Sequence, residues 1–230
     1  MKIDILSLFP QYFTGPFETS IIKRAIEKKI VKIRNIDIRD FSIDKHKKVD
    51  DKPYGGGEGM VMRVEPVCKA IRSVKKENSY LIYLTPQGKK FDYKKAKILA
   101  KKNHLIFLCG HYEGIDERAV EEVDEEISIG DYVLTNGCLA AIVVIDATLR
   151  FVKGVLGNQL SAEKDTYYNA VFKGPQYTRP FEFEDKKVPK ILISGNHSKI
   201  AEYKYKKGVE KTKKIRPDLY KKHKLKKEKI

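Results

Sequence analysis

Short apolar runs alternate with amphipathic stretches along the first 150 residues, and this alternation limits the fold more than any other feature of the chain. KIDILSLF (2–9), YLIYLT (80–85) and LIFLCG (105–110) have the length of buried strands. Between them Ile21, Ile22, Ala25, Ile26 and Ile30, and then Val67, Ala70, Ile71 and Val74, recur with the period of a helix face. Strand–helix alternation predicts an α/β fold around a mainly parallel sheet. In such sheets ligands sit beyond the carboxyl ends of the strands. Three segments fall where those ends are expected: TPQGK (85–89), CGHYEGIDER (109–118) and, after a fourth strand, SIGDYVLTNG (128–137). Each sets glycine beside polar or aromatic residues. A single ligand crevice built from three loops is the economical reading; three ordinary strand-to-helix turns are the alternative.

PYGGGEGM (53–60) raises a separate question, because four of its five central residues are glycine. Each glycine costs about 0.5–1 kcal/mol relative to alanine by loosening the unfolded chain, so a cluster needs a local reason. A Walker loop would continue into Gly-Lys-Ser/Thr, yet Met60, Val61, Met62 and Arg63 follow. A dinucleotide fingerprint would place glycine three residues after Gly59, where Met62 stands. A flexible surface loop remains the plain alternative.

With 230 residues the chain predicts one main domain and a small appendage. The longest apolar run, LAAIVVIDATL (139–149), is short of the ~20 residues of a membrane span and contains Asp146. MKIDILSLFP lacks a signal-peptide layout, and Cys68, Cys109 and Cys138 are odd in number and widely spaced. Reduced thiols, no metal site and a cytoplasmic location are expected. The formal charge of +16 is concentrated: residues 186–230 hold 17 Lys and Arg against 4 Asp and Glu. With Tyr203, Tyr205 and Tyr220 interleaved, this block suits a polyanion partner, a solvated helix face being the plainer reading. In a lysine-rich chain Arg118, Arg150 and Arg179 mark places where a rigid guanidinium fork is wanted. Residues 154–180 have no clear period and read as a long loop, and the tail beyond Pro189 reads as helical, with Ser194-Gly195-Asn196 as a cap and Pro217 in a first turn.

DDKPYGGGEGM, LTPQGK, CGHYEGIDER, SIGDYVL, RFVKGVLGN, YTRP and SGNH, in this order and spacing, resemble the bacterial tRNA (guanine-N1)-methyltransferase family of the SPOUT class, called TrmD. The resemblance runs from the first strand to the tail. It implies an α/β fold with a SPOUT-type trefoil knot and a mainly parallel sheet, a small helical C-terminal domain, and a homodimer. The implied domains are a knotted S-adenosylmethionine-binding catalytic domain over 1–160, a linker over 161–185, and a basic helical tRNA-binding domain over 186–230. The family moves a methyl group from S-adenosylmethionine to N1 of the guanosine at position 37 of tRNA, just 3′ of the anticodon, and its reaction is associated with magnesium.

Carried onto this chain, the resemblance implies a cofactor site of Leu84, Thr85, Pro86, Gln87, Gly110, Tyr112, Glu113, Gly114, Ile129, Gly130, Tyr132, Leu134 and Gly137. Asp165 aligns with the family's base and Arg150, 15 residues earlier, with its arginine. Gly55, Gly56, Gly57 and Gly59 fall on the substrate side, and Arg179 and His197 are implied as tRNA contacts or inter-domain props. The family's Ser/Thr-Gly-Gly-Glu-Leu-Pro becomes Thr135-Asn136-Gly137-Cys138-Leu139-Ala140, which removes an acid and a proline from the cofactor loop. Asn136 is expected to keep the turn through its tolerance of positive φ. Glu58 and Lys153 stand where proline is usual.

Overall fold

In the computed structural model the apolar runs line up as one wholly parallel sheet. The structure describes residues 1–157, 166–167 and 170–227, and the chain divides into two units, 1–159 and 160–230. The first unit contains, in chain order, β1 (Lys2–Ser7), α1 (Ser20–Glu27), β2 (Lys32–Asp37), β3 (Asp50–Asp51), β4 (Val61–Met62), α2 (Val64–Val74), β5 (Ser79–Lys90), α3 (Tyr93–Leu99), β6 (His104–Cys109), α4 (Glu117–Val120), β7 (Glu125–Ser128) and α5 (Cys138–Leu149). Sheet order is β2-β1-β6-β5-β7, every neighbouring pair parallel. All six residues of central β6 are buried, the near-continuous apolar pattern of a strand covered on both faces. Ile3, Ile5, Ile82 and Phe107 face a core shared with Ala25 of α1 and Val144 and Ile145 of α5. Leu6, Leu81, Ile106 and Leu108 face the opposite core, against Val67 and Ile71 of α2.

The amino ends of the strands are locked by charge. Asp4 is fully buried in β1 and accepts hydrogen bonds from Arg34 Nε at 2.6 Å and Nη2 at 2.9 Å in β2, while Lys2 Nζ lies at 2.9 Å. His104 Nε2 of β6 donates to it at 2.8 Å and takes a hydrogen bond at Nδ1 from Ser79 Oγ of β5 at 2.7 Å. Burial pushes this carboxyl up, and the hydrogen bonds from Arg34, Lys2 and His104 outweigh burial and bring it to about 2. Four strands are thereby joined at one end, and the carboxyl ends are left to form a site.

One expectation fails in detail. TPQGK does not follow the end of a strand, because β5 continues through it to Lys90. Leu84 and Lys89 both oppose Ile127 of β7, so residues 85–88 bulge out of the ladder. The cause is Gly88: a Cβ there would lie 2.5 Å from the backbone nitrogen of Ile127, and only glycine lets the two backbones close again after the excursion.

The second unit contains the two-residue antiparallel strands β8 (Glu182–Phe183) and β9 (Lys186–Lys187), then α6 (His197–Ile215) and α7 (Pro217–Lys227). Asn196 caps α6 by accepting from Lys199 N at 3.0 Å, and Pro217 opens α7 as the sequence suggested. Buried Thr212 Oγ1 accepts from Phe172 N at 2.7 Å and donates to Gly208 O at 2.7 Å, which holds the segment near 172 against α6. Tyr205 of α6 and His223 of α7 meet at 2.8 Å.

Candidate functional site

The carboxyl ends of β5, β6 and β7 surround a cavity of about 480 Å³, within the size range of small-molecule sites. Its walls are the bulge of β5, the β6–α4 loop and the β7–α5 loop. Leu84 to Gln87, Gly110, Tyr112 to Gly114, Ile129, Gly130, Tyr132, Leu134 and Gly137 all line it, so the thirteen positions implied for a cofactor share one concavity. Tyr112 at φ +59° and Gly114 at +134° flank Glu113, which lines the cavity. Gly137 N donates to Gly110 O at 2.9 Å and ties two of the walls together. Asn136 keeps the last turn by a different device from the expected positive φ: its Oδ1 accepts from Cys138 N at 2.9 Å. Cys138 itself is fully buried in the core with Cys109 and is not part of the cavity wall, so the acid-to-thiol departure alters the floor beneath the site.

The electrostatics of the cavity run against those of the chain. Glu113, Glu117 and Glu126 line it, and among the described residues no Lys or Arg does, although the chain carries +16 overall. Such a wall favours a ligand with positive charge. Of the wall residues that were not among the implied cofactor positions, Glu117 and Glu126 add to the acidic charge, and His111 and Tyr83 are buried aromatic groups. His111 is 6% exposed, and among the described residues neither ring nitrogen has a hydrogen-bond partner, while its ring packs 5.0 Å from that of Phe9. Tyr83 lines the same wall, and burial pushes its hydroxyl up. Their signals were faint: His111 is the one ionisable ring between Gly110 and Glu113 apart from Tyr112, and Tyr83 hides inside an apolar run.

Gly55, Gly56, Gly57 and Gly59 have φ of +85°, +79°, +124° and +79°, so their loop is a shaped turn closed to most side chains. It adjoins the cavity. Glu113 N donates to Met60 O at 2.9 Å, Met62 N to Gly114 O at 2.9 Å, and Asp116 N to Met62 O at 3.0 Å. Arg118 makes the fork anticipated for it, two bonds of 2.9 and 2.8 Å to Asp116. Arg150 is half-buried at the C-terminal cap of α5. Twelve helical residues, roughly 18 Å of rise, separate it from the cavity end of that helix, so the structure does not bring it to the cavity of its own chain. Asp165 lies outside the described residues. Arg179 and His197 are exposed in the second unit, His197 as the first residue of α6. No described helix is long and apolar enough to cross a membrane, and among the described residues no group of three or more His, Cys, Asp or Glu is placed to hold a metal.

A parallel sheet that gathers three loops around an acidic cavity at its carboxyl edge defines an α/β protein whose cavity has the size and charge to suit a small cationic or zwitterionic ligand. The family profile described as tRNA (Guanine-1)-methyltransferase TrmD matches residues 1–222, and the chain belongs to that family. It is 58% identical over 221 residues to the tRNA (guanine-N(1)-)-methyltransferase of Chlamydia pneumoniae, covering 96% of this chain and 61% of that protein. Proteins of the same description from Chlamydia trachomatis serovar D and Chlamydia muridarum are 56% and 58% identical, each over 96% of this chain and 62% of their own length. The chain therefore spans a little under two thirds of the length of these curated relatives.

Proposed function

We propose that this chain is an S-adenosylmethionine-dependent tRNA methyltransferase that modifies N1 of guanosine 37, next to the anticodon, and so supports reading-frame maintenance in the cytoplasm. The observation that carries this reading is the acidic cavity where three loops converge, in a chain of this family. S-adenosylmethionine supplies, when bound, an electrophilic methyl group on a positively charged sulfur. The residues present fit it. Backbone groups of Leu84 to Gln87 and of the β7–α5 loop suit the adenine edge, and Glu113, Glu117 and Glu126 offset the sulfonium and ammonium charges. Magnesium has no such fit among the described residues.

N1 of guanine carries a proton and lies on the pairing edge, so the base must leave its stack; the cost of a few kcal/mol is reduced in a single-stranded anticodon loop. Asp165 takes the N1 proton, a contribution of roughly 10²–10⁴-fold, and the Arg150 guanidinium balances charge that builds toward O6. The glycine loop lets the backbone come close to the everted nucleotide, with Arg179 and His197 on the RNA side. Because Arg150 stands at the far end of α5, the reading includes a homodimer in which one copy completes the other's site. Leu139 and Val143, 44% and 48% exposed on the mostly apolar α5, support a second copy covering that helix. The same reading takes the first unit as the knotted catalytic domain and the basic helices of the second as the tRNA grip. Methyl incorporation into transcripts that carry guanosine or adenosine at position 37 tests it: transfer only to guanosine is expected, and equal transfer to both would remove the position-specific claim.

A further inference from the structure

We infer that Gly59 is a positioning residue for the methyl donor, acting through Glu113, so that the glycine loop belongs to cofactor recognition as well as to the nucleotide side. This rests on the reading of the cavity as the S-adenosylmethionine site. The observation is a near-contact. A Cβ at position 59 would lie 2.6 Å from Glu113 Cγ, 2.8 Å from its Oε1 and 3.1 Å from its Cδ, well inside the 3.5–4.0 Å at which carbon atoms meet favourably. The Glu113 side chain therefore lies across Gly59, in a slot that exists because that residue has no side chain.

The backbone of Glu113 has little freedom to retreat. Its nitrogen is bonded to Met60 O at 2.9 Å, and it sits between Tyr112 at φ +59° and Gly114 at φ +134°, whose nitrogen bonds back to His111 O at 3.2 Å. Only the side chain can yield, by turning its carboxylate away from the cavity that it lines. Loss of one charged contact to the ligand corresponds to about tenfold or more in affinity.

Gly56 provides the matching control inside the same loop. Its φ is also +79°, and a Cβ there meets nothing within 4 Å, so alanine at 56 brings the same backbone strain without the collision. The experiment is calorimetric titration of S-adenosylmethionine, without RNA, into the wild-type chain, Gly59→Ala, Gly56→Ala, Glu113→Ala and the Gly59→Ala/Glu113→Ala pair. Gly59→Ala and Glu113→Ala are each expected to weaken binding by about tenfold or more. The pair is expected to bind no more weakly than Glu113→Ala, because the two changes act on one contact, and Gly56→Ala to bind like wild type. Wild-type affinity in Gly59→Ala, an equal loss in Gly56→Ala, or additive losses in the pair would each overturn the inference while leaving the functional reading intact. Failure of the wild-type chain to bind would overturn that reading, and the inference with it. If Gly59→Ala does not fold, the pair decides: recovery of the folded state supports the collision, and no recovery overturns it.

Discussion

Asp4 is a structural carboxylate, and Asp165 is the base of the proposed reaction. Asp4 is held ionised in the interior by Arg34, Lys2 and His104, and its work is to fasten strands. Its folded value of about 2 lies below the ordinary 3.8, so its contribution, about 2 kcal/mol, is fully present above pH 4 and is lost as pH falls toward 2. Denaturant titrations at pH 7 and pH 2 should show that loss, and Asp4→Asn, which leaves partly exposed Arg34 and Lys2 and buried His104 without their carboxylate, should cost about 2–3 kcal/mol at pH 7 and flatten the acid limb between pH 4 and 2. An unchanged acid limb in the variant would remove Asp4 as its source. In the proposed reaction Asp165 is the base that takes the N1 proton. Asp165→Asn should leave S-adenosylmethionine affinity within about twofold and lower kcat by roughly 10²–10⁴-fold, with single-turnover methyl transfer as the readout. Unchanged turnover would exclude it as the base.

Among the elements, the long strand β5 decides how the cavity loops meet. Gly88 lets β5 rejoin β7 after the bulge, so Gly88→Ala should lower the thermal midpoint by several degrees and weaken donor binding together, as read by melting curves with and without S-adenosylmethionine. Loss of one without the other would separate the bulge from the cavity. The alternation of strands and helices was legible in the sequence because strand and helix periods differ, and so was the convergence of three loops, because parallel strands put their carboxyl ends on one side. The bulge was not, since it depends on the distance between the backbones of Gly88 and Ile127, residues 39 positions apart. Asn136 illustrates the same limit: its residue type announced a turn but left open whether backbone dihedral or side-chain oxygen would make it. His111 and Tyr83 were hidden because a wall position depends on which way a strand end faces. Arg150 was assigned a role by its spacing to Asp165, while its distance from the cavity follows from the length of α5.

At the scale of the whole molecule, charge is divided by purpose. The chain carries +16, with a surplus of 13 positive charges in its last 45 residues, while the cavity wall is acidic. On the proposed function, the acidic wall would attract a cationic donor and the basic tail a polyanionic RNA. RNA binding should weaken steeply with salt, the logarithm of affinity falling with a slope set by the number of phosphates neutralised, and donor binding should change far less over the same range. Filter-binding and calorimetric titrations between low and physiological salt compare the two, and a flat RNA profile would contradict a role for the basic helices. The most direct measurement is mass mapping of tRNA after incubation with this chain and S-adenosylmethionine, by nuclease digestion and fragmentation of the modified nucleoside. The account predicts one added methyl group, on N1 of guanosine 37 and nowhere else; a methyl on another atom or nucleotide, or none with donor bound, would contradict it.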